Sequence, residues 1–100
     1  MIRHIVLWKF KDVAEGNEKE ENMKKAKEIL SALPPLILQI KAMTVGADVL
    51  KTDSSFDFAL AVDFETVGDL NDYIVHPEHK KVGVFIRAVV EQRVSADIEF

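Results

Sequence analysis

The chain predicts an α+β protein of the ferredoxin-like class, a β-α-β-β-α-β protomer with a four-stranded antiparallel sheet. Three observations carry this. The segments at 2–10, 56–64 and 91–100 alternate side chains with the period of two that a pleated strand imposes. Segments with apolar residues at three- and four-residue spacing lie between strand segments. The order of these segments is that of the split βαβ arrangement.

The first strand spans residues 2–10. Ile2, His4, Val6, Trp8 and Phe10 share one face; Arg3, Ile5, Leu7 and Lys9 share the other. The middle is apolar on both faces, so both faces should be covered. Asp12 to Gly16 reads as a connection, and Asn17 with Glu20 resembles a capping box opening a helix that runs to about Leu33. Its stripe is Met23, Ala26, Ile29, Leu30 and Leu33. The pairs Glu20–Lys24 and Glu21–Lys25 support the solvated face. Pro34-Pro35 ends the helix.

A second strand is expected from Leu36 to about Val49, then a polar turn from Lys51 to Ser55. Phe56 to Phe64 is the clearest strand: Phe56, Phe58, Leu60, Val62 and Phe64 alternate with Asp57, Ala59, Ala61 and Asp63. Thr66 with Asp69 forms an N-cap pair for a second helix striped by Val67, Leu70, Tyr73 and Ile74. Pro77 disfavours helix at His76 and suits the first position of a new helix, which buries Val82, Phe85, Ile86 and Val89. Glu91 to Phe100 closes the sheet.

All 100 residues form one domain, 1–100. A net charge of −4 and the lack of a Lys/Arg stripe with interleaved aromatics argue against nucleic acid as a partner. No apolar run approaches the roughly 18–20 residues of a membrane helix, and the N-terminal run is too short for a signal peptide, so a soluble cytoplasmic protein without a membrane partner is expected. Cysteine is absent, which excludes disulfides and thiolate metal sites. With both helical segments on one sheet face, Ile5, Leu7, Ala59 and Ala61 are left on a bare apolar face. That arrangement asks for a homodimer packed sheet against sheet.

Chemistry concentrates in Asp72-Tyr73-Ile74-Val75-His76-Pro77-Glu78-His79, which holds two of the three histidines and the only tyrosine. Imidazole and phenol groups at a helix break can move protons near neutral pH or orient a polar ligand. His76 is expected to cap the helix that Pro77 opens. His79, on the first turn, faces either the sheet and a ligand or a backbone partner. Tyr73 lies on a buried stripe, where its hydroxyl needs either a local partner or a ligand. His4 is either a hydrogen-bonded core histidine or a pocket histidine joined to the 73–79 segment. His76 and His79 supply only two of the three ligands a zinc site commonly takes, and no metal or cofactor is expected.

The opening Ile2-Arg3-His4-Ile5-Val6-Leu7-Trp8-Lys9-Phe10-Lys11 and the segment Tyr73-Ile74-Val75-His76-Pro77-Glu78-His79 together resemble the first strand and the Tyr-x-x-His-Pro-x-His signature of the stress-responsive alpha/beta-barrel (Dabb) domain. The resemblance covers essentially the whole chain. It implies a dimeric α+β barrel with a cavity between each sheet and its own helices. One plant branch of that family is a cofactor-independent polyketide cyclase, whose tyrosine and histidine match Tyr73 and His79 and whose strand histidine matches His4. Aromatic residues on that branch's first helix correspond to Met23 and Ala26, and a third-strand histidine to Phe58, so the ligand must differ. The expected site is therefore His79 as general base, Tyr73 as orienting donor, and a lining of His4, Val6, Trp8, Met23, Phe58 and Leu60. Three functions fit: a protein binding a small, partly apolar molecule, a cyclase- or isomerase-type enzyme, or a structural oligomer with an incidental cavity.

Overall fold

The computed structural model describes all 100 residues, and they build one four-stranded antiparallel sheet with three helices. In chain order the elements are β1 (Ile2–Phe10), β2 (Val13–Ala14), β3 (Asn17–Glu18), α1 (Lys19–Ser31), β4 (Ala42–Ala47), β5 (Phe58–Phe64), α2 (Val67–Val75), α3 (Pro77–Val89) and β6 (Val90–Glu99). The main sheet runs β4-β5-β1-β6, so β1 is central and pairs with both β5 and β6. This is the ferredoxin-like topology that the alternating segments predict.

The period of two decides which face is which. On β1 the residues Ile2, His4, Val6, Trp8 and Phe10 are buried, whereas Arg3, Ile5, Leu7 and Lys9 are half-buried. The buried face packs with Phe58, Leu60, Val62 and Phe64 of β5 against Ala26 and Leu30 of α1, Leu70 and Tyr73 of α2, and Ile86 and Val89 of α3. No helix residue joins the opposite face. There the β1 register sets Ile5 beside Ala61 and Ala96, and Leu7 beside Ala59 and Val94. At one end of that face the Arg3 guanidinium grips Asp63 with two hydrogen bonds, of 2.7 and 3.0 Å, and lies 4.4 Å from the Phe100 ring. This fork holds the Asp63 carboxyl below its usual range.

Three local expectations are corrected. The segment before α1 is a small hairpin, β2-β3, not an open connection. Its two-residue turn places Glu15 and Gly16 at φ 51° and 77°, the left-handed pair that a type I′ hairpin requires. Asn17 consequently sits in β3, and Glu18 takes the N-cap position of α1 with no side-chain cap. The hairpin also explains a buried polar residue in α1: Asn22 donates from Nδ2 to the Ala14 carbonyl at 3.0 Å. The second strand begins at Ala42, not Leu36. After Pro34-Pro35 the chain coils, with the Leu36 and Ile37 amides returning to the Leu33 carbonyl at 2.9 and 3.0 Å, and Ile37 plugs the core as a turn residue. Helix α1 ends at Ser31, with Leu33 buried just beyond it.

The break at Pro77 is as expected. Helix α2 is capped by Thr66, whose hydroxyl accepts from the Asp69 amide at 3.1 Å. It ends at His76, whose extended backbone (φ −63°, ψ 136°) starts α3 with Pro77 in its first turn. The His76 ring caps that helix, its Nδ1 accepting from the Glu78 amide at 3.1 Å.

The two capping positions should respond differently to truncation. Thr66→Ala should lower stability by about 1 kcal/mol, seen as a lower urea midpoint at unchanged m-value. Asn17→Ala should shift the midpoint by less than half as much. Equal losses would restore Asn17 to a capping role.

Candidate functional site

A cavity of about 320 Å³ lies between the sheet and α3. Its floor is the helix-facing side of β1, with His4, Val6 and Trp8, and Leu60 of β5 beside them. Tyr73 of α2, His79 of α3 and Leu30 of α1 close the other walls. The remaining side opens along β6. The β6 residues that the register places on the helix side are polar: Arg93 opposite Trp8, Ser95 opposite Val6 and Asp97 opposite His4. They are exposed and leave the space under α3 unfilled.

The expected residues separate into two groups. His4, Val6, Trp8, Leu60, Tyr73 and His79 meet in this one cavity. Phe58 does not reach it; it is buried against Phe10 and Trp8, with ring centroids 5.5 and 5.9 Å away. Met23 is half-buried and faces a shallow groove beside Asp48 and Lys51, away from His79. Sequence reasoning missed Asp97, Arg87, Arg93 and Glu91. The strand alternation of β6 carried the signal for Asp97 and Arg93, since it set them on the same side as Glu91 in a strand whose other side is apolar.

The helix break brings the reactive rings together. The Tyr73 and His79 centroids are 4.4 Å apart, and His4 lies 6.1 Å from Tyr73 on the sheet side. The His79 Nδ1 is 3.1 Å from the Ile74 carbonyl oxygen. A carbonyl only accepts, so Nδ1 carries the proton and, in the neutral ring, Nε2 keeps its lone pair. Burial lowers the His79 pKa; the neighbouring His4, Arg93 and Arg87 push the same way, and the Ile74 bond opposes them. The ring is thus a neutral base at pH 7. His4 is oriented in the same style, its Nδ1 donating to the Asp97 carboxylate at 2.5 Å.

Two donors in the cavity wall have no protein partner. The Tyr73 hydroxyl and the Trp8 indole N–H are both buried, in residues 0% and 4% exposed, and neither makes a hydrogen bond within the protein. Burying such a group unpaired costs roughly 1–3 kcal/mol. Burial also pushes the Tyr73 pKa up to about 12, so the phenol keeps its proton and acts as a donor. The residues lining the cavity therefore include one protonated phenol, one indole donor and one imidazole acceptor among apolar side chains. Nowhere in the protein do three His, Asp or Glu side chains converge as metal ligands would. No helix is long and apolar enough to cross a membrane.

Known proteins resemble this chain along nearly its whole length. The family model described as the Stress Responsive A/B Barrel Domain matches residues 2–100. Olivetolic acid cyclase from Cannabis sativa is 29% identical over 98 residues, covering 96% of this chain and 93% of that protein. A dimeric protein of unknown function and ferredoxin-like fold from Bacteroides fragilis superposes with a TM-score of 0.87 at 33% identity, over 99% of this chain and 95% of that one. The hydroxynitrile lyase from Passiflora edulis shares the fold, with a TM-score of 0.80 at 17% identity over 97% and 90% of the two chains.

The lowered His79 pKa sets a pH dependence of stability. Unfolding returns the ring to its ordinary value of 6.5, so below that pH the unfolded chain binds the extra proton. Stability from this group is complete above pH 6.5 and is lost as pH falls from there through the lower folded value. His79→Gln should flatten the decline in urea midpoint between pH 7 and pH 5. An unchanged slope would show that His79 titrates normally in the folded protein.

Proposed function

This chain belongs to the stress-responsive A/B barrel (Dabb) family, and we propose that it is a homodimer binding a small, partly apolar, oxygen-bearing molecule in the cavity under α3. The carrying observation is the pair of buried, unpartnered donors, Tyr73 Oη and Trp8 Nε1, in the wall of one cavity. A ligand oxygen that accepts from either recovers the cost of its burial. The apolar wall of Val6, Leu60 and Ile86 takes the rest of the molecule. At about 320 Å³ the space suits a small ligand, at the low end of the roughly 300–1,000 Å³ common for binding pockets.

A second reading, favoured by the state of His79, is catalysis at the same site. A neutral imidazole with Nδ1 engaged by Ile74 can accept a proton at Nε2. A phenol that keeps its proton up to about pH 12 can polarise a ligand carbonyl. Together they would take the proton α to a carbonyl while Tyr73 stabilises the enolate oxygen. This is the first step of an aldol closure or an isomerisation.

The dimer rests on the outer sheet face. Ala59, Ala61 and Gly46 flank a shallow groove beside Ile5, leaving nothing bulky to hold a second sheet away. A face of this kind is stabilised by a partner copy, and the Bacteroides fragilis relative is described as dimeric. Light scattering at micromolar concentration should give about twice the 11.3 kDa chain mass, and Ala61→Arg should return it to the monomer. A wild-type monomer would end this part of the reading.

Binding and catalysis separate in one experiment with 4-phenyl-2-butanone in D2O. Binding should alter the fluorescence of Trp8, the chain's only tryptophan. Catalysed enolisation should speed deuterium uptake at the α carbons. His79→Ala should reduce that rate by about 10²-fold or more, and Tyr73→Phe by about tenfold or more. Binding without exchange would leave a binding protein and remove the enzyme; no binding to this or related ketones would remove both.

A further inference from the structure

The mouth of the cavity is charged in a way that the interior donors do not explain. Two arginines line it from opposite sides: Arg87 from α3 and Arg93 from β6. Neither forms a salt bridge; the ion pairs of Arg3, His4, Lys19, Lys41 and Lys81 account for all those present. Arg93 makes one long contact, 3.4 Å from Nη1 to the Ser95 hydroxyl. Arg87 sits over Gly83, one turn earlier on α3, and a Cβ at that position would come 3.0 Å from the Arg87 Nη1. The missing side chain thus makes room for the guanidinium at the cavity rim, where Gly83 itself lines the space. Both cations act on His79, so they lie within electrostatic reach of the reactive end. A protein with a net charge of −4 has two free guanidinium groups at this one opening.

We infer that the ligand of this cavity carries a carboxylate, held at the mouth by Arg87 and Arg93 while a carbonyl or hydroxyl oxygen points inward to Tyr73 and Trp8. The proposal rests on the ligand-binding reading above and narrows it to small oxo- or hydroxycarboxylic acids with an apolar body. Glu91 also lines the mouth, which leaves one net positive charge from two arginines and one glutamate. Asp97, the carboxylate that His4 meets, does not line the cavity. A single net positive charge matches a monoanionic carboxylate better than a dianionic phosphate. Guanidinium pairs suit carboxylates because each presents parallel N–H donors to two oxygens. The arginines are exposed, so their hold is expected to weaken with salt.

Three probes with the same phenyl ketone body test this through Trp8 fluorescence: 4-oxo-4-phenylbutanoate, its primary amide, and 3-oxo-3-phenylpropylphosphonate. The acid should bind the wild-type protein on the order of tenfold tighter than the amide at low ionic strength. That preference should shrink in 0.5 M NaCl, a comparison needing no variant, and fall below about threefold in Arg87→Gln/Arg93→Gln. Equal binding of acid and amide would overturn the carboxylate inference and leave the cavity reading standing. So would tighter binding of the phosphonate than of the acid, or a preference that survives in the double variant. Failure of all three probes to bind would overturn the inference together with the reading beneath it.

Discussion

The register of β1 is the constraint on which everything else rests. This strand pairs on both sides, and its two faces serve different ends: one carries His4, Val6 and Trp8 under the helices, the other Ile5 and Leu7 outside. A slip of one residue would exchange the two sets, turning Arg3 and Lys9 into the core and His4 and Trp8 out of it. The apolar fit of both faces forbids that slip, and the Arg3–Asp63 fork at one end pins the alignment with β5. The position of His4 beside Tyr73, the placement of Ala59 and Ala61 on the outer face, and the placement of Arg93 at the mouth all follow from that alignment.

The cavity is a product of unequal covering. Strands β1 and β5 turn large apolar residues towards the helices, and these fill the space beneath α1 and α2. Strand β6 turns Arg93, Ser95 and Asp97 in the same direction. Polar side chains that can reach solvent gain nothing by packing under α3, so the layer stays open along this edge. The result is a chamber whose deep end is apolar and poor in hydrogen-bond partners, and whose entrance is charged. Depth sets the protonation states: burial lowers the His79 pKa and raises that of Tyr73, favouring the neutral form of each.

Much of this was legible from the residues alone, and the parts that were not have physical causes. The long strands and the helix break were readable because alternation and Pro77 are local signals that tertiary contacts reinforce. The coil after Pro34-Pro35 was misread as strand because Ile37 and Ile40 are apolar whether they fill a core from a turn or from a sheet. The hairpin before α1 was hidden because its turn uses Glu15 at positive φ, a conformation that few sequences announce. Tyr73 and His79 share one motif and line one cavity; whether His4 joins them or stays in the core is open in the sequence, and it lines the same cavity. Phe58 and Met23 do not join them, since a shared strand face or helix stripe says nothing about depth within a layer. Arg87 and Arg93 went unnoticed because their partnership spans a helix and a strand and has no sequence spacing.

The junction at His76 has a consequence of its own. On an unbroken helix, residues six apart point roughly 120° away from each other; Tyr73 and His79 are six apart, yet their rings touch. The extended His76 backbone supplies the missing rotation. The stretch from 73 to 79 therefore behaves as a ruler. Residues within it that face solvent, such as Val75, can be exchanged at little cost. Adding or deleting a single residue would swing His79 about 100° around its helix, separating the base from the phenol while leaving the overall architecture in place. What the segment must preserve, besides the His76-Pro77 break, is its length, because contact between the two rings depends on the number of residues between them.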